Sequence, residues 1–194
     1  MTRALAGLAV VLTLAGCGAL AGCGVGKDAV DQSGGGDKRF VTSTLVREYA
    51  PADRLPAPRV QGDAVSGPRV DTGAYHGKVL VVNFWGSWCA PCRSEAQSLQ
   101  DISATSKDRG VQFVGVNIRD ARDRAAAFER AYGITYPSVY DAAGRVALAF
   151  RKTPPQGTPA TVLVDRQGRV AAVYSRAVRY GELKAAVDAL AAER

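Results

Sequence analysis

The sequence predicts an α/β domain in which a mixed β-sheet carries helices on both faces. Strand-like apolar runs alternate with helical segments between residues 79 and 140, which is the order typical of an α/β sheet. Two further apolar runs, 160–164 and 170–174, flank an Asp-Arg-Gln-Gly turn and predict a closing hairpin. A Cys-x-x-Cys motif, formed by Cys89 and Cys92, lies where one of the strands gives way to a helix.

The first 22 residues predict an export signal. The positive charge of Arg3 precedes the apolar run 4–14, which is too short to span a bilayer and has the length of a signal-peptide core. Leu-Ala-Gly-Cys occurs twice, ending at Cys17 and at Cys23, and resembles the site at which bacterial prolipoproteins are cut and lipidated. We predict lipidation of Cys23, with Cys17 as the alternative. Gly16, Gly18 and Gly22, which follow this run, argue against a retained membrane helix.

Residues 23–55 are rich in Gly, Ser, Asp, Lys and Pro and predict a flexible tether. A Gly/Ser-rich chain of about 30 residues has an r.m.s. span of roughly 30 Å, enough to hold a domain just off a lipid surface. The short apolar segment 40–46 has a second interpretation, a strand or a segment docked on the domain. The tether hypothesis places the domain at 56–194, which is long enough to bury an adequate core.

The predicted elements follow one another along this domain. Gly62 and Gly67 indicate a hairpin that extends the sheet region at its amino-terminal side, and the segment 146–150 is apolar but ambiguous between strand and helix. The remaining predictions, in chain order, are strand 79–85, helix 93–107, strand 111–116, helix 122–132 ending at Gly133, strand 138–140, strands 160–164 and 170–174, and an amphipathic helix 181–192.

The Cys-x-x-Cys motif predicts a redox centre. A strand delivers it to the end of a sheet, so Cys89 lies at the start of the following helix, where unpaired backbone N–H groups and the helix dipole favour a thiolate. The thiolate is the species that attacks disulfides, and Cys92, one turn further on, is placed to resolve a mixed disulfide.

Other interpretations of two cysteines at this spacing are half of a zinc site or an inert structural bridge. Zinc requires four ligands, and this chain has four cysteines in all, two of them in the leader, and one histidine. That histidine, His76, falls in a predicted loop and is not expected to act as a catalytic base. We therefore expect no metal and no other cofactor.

Residues 83–95, Asn-Phe-Trp-Gly-Ser-Trp-Cys-Ala-Pro-Cys-Arg-Ser-Glu, resemble the active-site signature of thioredoxin-like proteins of the TlpA/ResA/DsbE group. Further similarity is found at 115–117, 132–137 and 157–161, so that the resemblance covers roughly residues 56 to 192. The resemblance implies a thioredoxin fold and a membrane-tethered, extracytoplasmic thiol-disulfide oxidoreductase. A lipoprotein leader followed by a tether is typical of the same group.

The resemblance also implies roles for individual residues. Thr158 and Pro159 resemble the loop whose proline is cis and faces the cysteine pair, where backbone groups bind a substrate peptide; the alternative for Pro159 is an ordinary turn proline. Trp88, Pro91 and Thr158 are the implied substrate contacts. Glu95 matches a carboxyl group that handles protons beside the cysteines, the alternative being a surface glutamate stabilised by the helix dipole.

Two positions depart from the expected pattern. Asn83 occupies the position at which thioredoxin has a buried Asp, which leaves Glu95 as the candidate proton acceptor. Gln97 stands where the family often has a helix-kinking proline, so that a straighter helix is expected.

By resemblance, the implied function is reduction of apocytochrome c disulfides for cytochrome c maturation, with electrons from a membrane thiol reductase of the CcdA/DsbD type. The alternative is oxidation of exported proteins. A thiol peroxidase is disfavoured because Trp85 stands where the peroxide-binding motif has its proline, and a copper or haem carrier is disfavoured because no Met or His lies near the motif. The net charge of +7 comes without a basic cluster interleaved with aromatic residues, so we expect no nucleic-acid partner.

Overall fold

The computed structural model describes residues 45–193. No helix in this part of the chain is long and apolar enough to cross a membrane. The predicted export signal, both candidate lipidation sites, Cys23 and Cys17, and the tether up to residue 44 lie outside the described residues.

A six-stranded mixed sheet forms the centre of the domain, in the order β1-β8-β7-β4-β5-β6. The three strands β4, β5 and β6 are parallel, whereas β7, β8 and β1 join by antiparallel pairing. A separate two-stranded hairpin, β2 and β3, confirms the predicted amino-terminal extension. The strands are β1 (Val46–Glu48), β2 (Gln61–Gly62), β3 (Val70–Asp71), β4 (Val79–Trp85), β5 (Val111–Ile118), β6 (Ser138–Asp141), β7 (Ala160–Val164) and β8 (Val170–Tyr174). The helices are α1 (Ala90–Ser106), α2 (Arg122–Ala131), α3 (Val146–Ala149) and α4 (Tyr180–Ala192).

Side chains of the central strands alternate between two cores, as the pleat of a strand requires. On one face, Val79 and Val81 of β4 belong to a cluster that includes residues of α1 and α4, such as Leu99 and Leu183. On the other face, Val82 and its neighbours belong to a cluster that includes residues of the hairpin, and Val146 and Ala147 of helix α3 pack against it. The predicted mixed sheet with helices on both faces, a thioredoxin-like fold, is therefore confirmed.

The predicted boundary of the tether at residue 55 is wrong. Strand β1 pairs with β8, with Val46 opposite Tyr174, so the domain begins before residue 50. Ser175 N–H also donates to the Leu45 carbonyl, and Tyr49 N–H donates to the Ala171 carbonyl. A strand of three residues is too short to show the alternating pattern by which a strand is predicted. Strand β1 is held in place by its hydrogen bonds to the edge of β8.

Two ambiguous segments are also settled by the structure. The apolar segment 146–150 contains the short helix α3. The Val146 N–H at its start donates a hydrogen bond to the Asp141 carboxylate. Helix α1 is continuous through Gln97, as expected in the absence of a proline, and the Gln97 amide donates to Asp101 one turn later.

Four loops meet at one edge of the sheet, which we call the cysteine edge. They are the segments 86–89 after β4, 119–121 after β5, 142–159 between β6 and β7, and 175–179 after β8. The strand register places them together, because Phe84 pairs with Ala160, Trp85 with Asn117, Ile118 with Asp141 and Thr161 with Tyr174.

Candidate active site

The two cysteines begin helix α1 and are joined as a disulfide. Their sulfur atoms are 2.08 Å apart and their Cα atoms 5.3 Å apart. Cys89 is the N-cap residue, and its sulfur accepts a hydrogen bond from the backbone N–H of Cys92 at 3.2 Å. An N–H donor and the positive end of the helix both stabilise negative charge on this sulfur in the reduced form. Cys89 and Cys92 are 3% and 2% exposed, respectively.

Trp88 covers the turn that precedes the cysteines and is itself 52% exposed. Its indole Nε1 donates to the Ile118 and Arg119 carbonyls at 3.4 and 3.1 Å. Gly86 makes this arrangement possible, because a Cβ at that position would lie only 2.6 Å from the indole nitrogen. The structure thus presents a large apolar side chain to solvent directly beside the disulfide.

A buried carboxylate that the sequence analysis missed anchors the same turn. Asp120 accepts from the Ser87 N–H at 2.6 Å and from the Ser87 hydroxyl at 2.8 Å. It also accepts from Asn117 Nδ2 and from the Ala121 N–H. Burial raises the pKa of Asp120, but these hydrogen bonds outweigh it, and the pKa lies below its ordinary value. The sequence does contain a signal for this carboxylate, because polar residues lie at the carboxyl end of β5, next to the turn that bears the cysteine motif.

Glu95 is 2% exposed, so the alternative of a surface glutamate is wrong. Its Oε1 accepts from Asn83 Nδ2 at 3.0 Å, and its Oε2 accepts from the Val178 N–H at 2.8 Å. Asn83 Nδ2 also donates to Thr161 Oγ1 at 3.1 Å. Burial raises the pKa of Glu95 to about 7, although both donors lower it. Asn83 therefore holds the carboxyl group in place, a contact that was not expected.

The Thr158-Pro159 peptide bond is cis, as the resemblance implied. Ala160, the next residue, pairs with Phe84, so this loop reaches the sheet beside the end of β4 that leads to the cysteines. Pro159 is buried, Thr158 is half-buried and Pro91 is exposed on the first turn of α1. Cys89, Cys92, Trp88, Glu95 and Pro159 are thus all brought to the cysteine edge.

His76 lies far from this edge, exposed in the loop before β4. Among residues 45–193, no group of three or more His, Cys, Asp or Glu side chains is arranged to hold a metal ion.

Two curated relatives are similar to this chain in sequence. The chain is 31% identical over 119 residues to the thiol-disulfide oxidoreductase ResA of Bacillus subtilis, a match that covers 61% of this chain and 65% of that protein. It is 32% identical over 148 residues to the thiol:disulfide interchange protein HelX of Rhodobacter capsulatus, covering 76% of each chain.

Solved structures match the fold. A DsbF homologue from Corynebacterium diphtheriae superimposes with a TM-score of 0.71 at 35% identity, covering 75% of this chain and 93% of that one. A secreted thiol-disulfide isomerase from Corynebacterium glutamicum gives a TM-score of 0.72 at 34% identity, covering 77% and 93%.

The Redoxin family model matches residues 50–190, a range that contains the cysteine pair, the buried glutamate and the cis-proline loop. The chain therefore belongs to the Redoxin family.

Proposed function

We propose that this chain is an extracytoplasmic thiol-disulfide oxidoreductase. The observation that carries the proposal is the Cys89–Cys92 pair at the start of α1. The Cys89 sulfur accepts a hydrogen bond from a backbone N–H, and the buried carboxyl group of Glu95 lies one turn beyond Cys92. Relatives and structural neighbours named as thiol-disulfide oxidoreductases, interchange proteins and isomerases support the same chemistry.

In the reductive direction, the Cys89 thiolate attacks one sulfur of the client disulfide and releases a client thiolate. The Cys92 thiolate then attacks the Cys89 sulfur, which breaks the mixed disulfide and releases the second client thiolate. The client gains two electrons and two protons, and the Cys89–Cys92 disulfide remains on this chain. A dithiol reductase must supply two electrons to restore the pair.

The surrounding residues have defined roles in this proposal. Glu95 accepts and returns the proton of the Cys92 thiol, a task that suits a carboxyl group whose pKa is raised to about 7. The backbone at Thr158 and Pro159 pairs with the client chain, and the exposed side chains of Trp88 and Pro91 contact it beside the reacting sulfur.

The proposed clients are disulfides in exported proteins, of which apocytochrome c is the one that the family resemblance implies. A membrane thiol reductase of the CcdA/DsbD type is the proposed electron donor. The chain acts on the outer face of the cell membrane, anchored by an acyl group on Cys23 or, alternatively, Cys17. The supporting observations are the leader sequence and the similarity to ResA and HelX.

Oxidation of exported proteins is the second candidate function. It is favoured by the likeness to a secreted thiol-disulfide isomerase, at 34% identity, because isomerisation of disulfides requires exchange in both directions. The chemistry is the reverse, in which a client thiolate attacks the Cys89–Cys92 disulfide.

The reduction potential of the Cys89/Cys92 pair distinguishes the two directions. We would equilibrate the domain with thiol buffers, alkylate the free thiols and measure masses. Related dithiol proteins span about −270 to about −120 mV. A value near or below about −250 mV is expected for the reductase, whereas a value near about −120 mV would contradict it and identify an oxidant.

A Cys92→Ser variant tests the assignment of attacking and resolving sulfurs. Without Cys92 the mixed disulfide through Cys89 has no resolving thiolate, so we expect it to accumulate and to be visible by non-reducing electrophoresis and mass spectrometry. A Cys89→Ser variant is the matched control and should trap none. Equal trapping by the two variants would contradict the assigned roles.

A further inference from the structure

The four loops of the cysteine edge are in contact with one another. Trp88 in the first loop donates to the Arg119 carbonyl in the second. Arg119 reaches the third loop, where a Cβ on Gly144 would lie 3.6 Å from its Nε. The Gln156 N–H at the far end of the third loop donates to Ser175 Oγ in the fourth, at 3.0 Å. These loops therefore form one continuous surface around the disulfide.

Every exposed charge in these four loops is positive. The cationic residues are Arg119, Arg145, Arg151, Lys152, Arg176 and Arg179. The one carboxylate in the loops, Asp120, is buried beneath the Ser87 turn. Arg93 adds a further cation on the first turn of α1. The flanking helices supply the exposed Asp123 on α2 and the half-buried Glu182 on α4, and Glu182 is paired with Arg176.

Four of the cations at this edge have no carboxylate partner among the described residues. Within residues 45–193, Arg119, Arg145, Arg151 and Lys152 have no carboxylate within salt-bridge distance. Away from the edge, some cations pair with aspartates, as in Arg69 with Asp63, Arg109 with Asp188 and Lys184 with Asp188, whereas others do not. Unbalanced positive charge around a reactive centre attracts acidic partners.

Apolar exposure is concentrated at the same edge. The large apolar side chains that the described part of the chain exposes are Trp88, Leu148 and Tyr180, at 52%, 71% and 44%. Trp88 lies in the first loop, Leu148 on α3 within the third, and Tyr180 directly after the fourth. An aromatic and aliphatic surface with a cationic surround is suited to bind a polypeptide.

We propose that the cysteine edge docks client segments in which acidic residues flank the cysteines. This inference rests on the thiol-disulfide exchange proposed above and specifies which clients react fastest. Exposed Trp88 and Leu148 contact the apolar side chains of the segment, and the loop cations, Arg151 and Lys152 among them, face its carboxylates. A polypeptide is favoured over an anionic membrane because a membrane seated on this edge would cover the disulfide.

The test uses three peptides of equal length that carry the same Cys-x-x-Cys disulfide between acidic, neutral or basic flanks. We would measure the second-order rate of reduction by the reduced protein at about 20 and about 500 mM salt. The probe variant combines Arg151→Glu with Lys152→Glu. The control combines Lys78→Glu with Lys107→Glu, exposed cations at the opposite end of β4 and α1 with the same charge change. The ratio of wild-type to variant rate cancels differences in intrinsic peptide reactivity.

At low salt, we expect the probe variant to react with the acidic peptide about tenfold more slowly than the wild type, and the control within about twofold. The effect should fade at high salt, where screening acts within a few ångströms, and should reverse in sign for the basic peptide. Equal ratios for all three peptides would overturn the docking proposal while leaving the oxidoreductase intact. Failure to reduce any peptide would instead overturn the proposed function.

Vesicles of phosphatidylglycerol and phosphatidylcholine test the competing occupant of this edge, an anionic membrane. We expect Arg151→Glu with Lys152→Glu to bind such vesicles as the control variant does. Loss of vesicle binding in the probe variant alone, with peptide rates independent of flanking charge, would assign the edge to the membrane and overturn the proposal.

Discussion

Glu95 receives hydrogen bonds from two residues that are far from it in sequence. Asn83 lies on β4, on the other side of the cysteine turn, and Val178 lies in the loop before α4. Burial of the carboxyl group dominates over both donors and raises its pKa to about 7. In mildly acidic solution, folding therefore holds a proton on Glu95 that the unfolded chain releases.

The first prediction concerns this proton. The folded pKa of Glu95 is about 7 against an ordinary value of 4.5, so its stabilising contribution is full below about pH 4.5 and is lost as the pH rises through about 7. The free energy of unfolding of the oxidised wild type should fall between pH 5 and pH 8, by on the order of 2 to 3 kcal/mol relative to Glu95→Gln. Urea titrations across this window measure it.

Asp101→Asn is the control, because Asp101 is exposed on the same helix. It should keep the wild-type pH dependence. If Glu95→Gln and Asp101→Asn showed the same slope against pH, Glu95 would not carry the raised pKa.

At the scale of elements, the turn between β4 and α1 is held by β5 as well as by its own helix. The Asp120 carboxylate takes both donors of Ser87, and the carbonyls at the end of β5 take the Trp88 indole. Tyr140 on β6 contributes by donating its hydroxyl to the Asp120 carbonyl at 2.8 Å. The position of the cysteines is thus fixed by two neighbouring strands.

The second prediction tests this anchor with Asp120→Asn. The amide that replaces the carboxylate points N–H groups at Ser87 and Asn117, which are themselves donors. Donors that lose their acceptor cost about 1 to 3 kcal/mol in the free energy of unfolding. Iodide quenching of Trp88 fluorescence should also increase as the turn loosens. Asp123→Asn, on the exposed first turn of α2, is the control and should change neither measurement. Matching behaviour of the two variants would contradict the anchor.

At the scale of the whole domain, one buried arginine joins three distant segments. Arg54 precedes the hairpin, and its guanidinium donates to Asp165 in the β7–β8 turn at 3.2 Å and to Glu193 after α4 at 2.5 and 2.8 Å. The side chains of Arg54 and Asp165 are almost fully buried. Asp165 is also paired with Arg169. The two ends of the described chain are therefore tied to the same turn.

The third prediction is that Arg54→Ala destabilises the fold by about 3 kcal/mol, measured by urea unfolding at pH 7. The cost arises because Asp165 keeps its buried charge while losing one of its two cations. The cost is at the low end for a broken buried pair because Arg169 still pairs with Asp165. Arg59→Ala is the matched control. Its salt bridge with Asp71 is exposed to solvent, so its removal should have no measurable effect. Equal stability of the two variants would contradict the proposed tie.

Local patterns in the sequence were sufficient for much of this architecture. The apolar run of β4, the turn before β8 and the spacing of α4 each reflect a period that follows from strand or helix geometry. The cysteine pair at the start of α1 could be predicted for the same reason, because a strand followed by a helix leaves the motif at a helix N-terminus. The cis bond before Pro159 required the family resemblance, since a turn proline has no local sequence signal for cis.

Tertiary structure alone decided the features that join distant segments. Strand β1 forms because β8 has an open edge, and residues 46–48 are too few to predict a strand from their own sequence pattern. Glu95 accepts a hydrogen bond from the Val178 N–H, 83 residues away, and Ser87 is anchored by Asp120 in the loop after β5. The clustering of the loop cations around the disulfide depends on strand register, because their residues are scattered from 119 to 179 in sequence. Contacts of this kind are set by which strand edges pair, a property that no local period encodes.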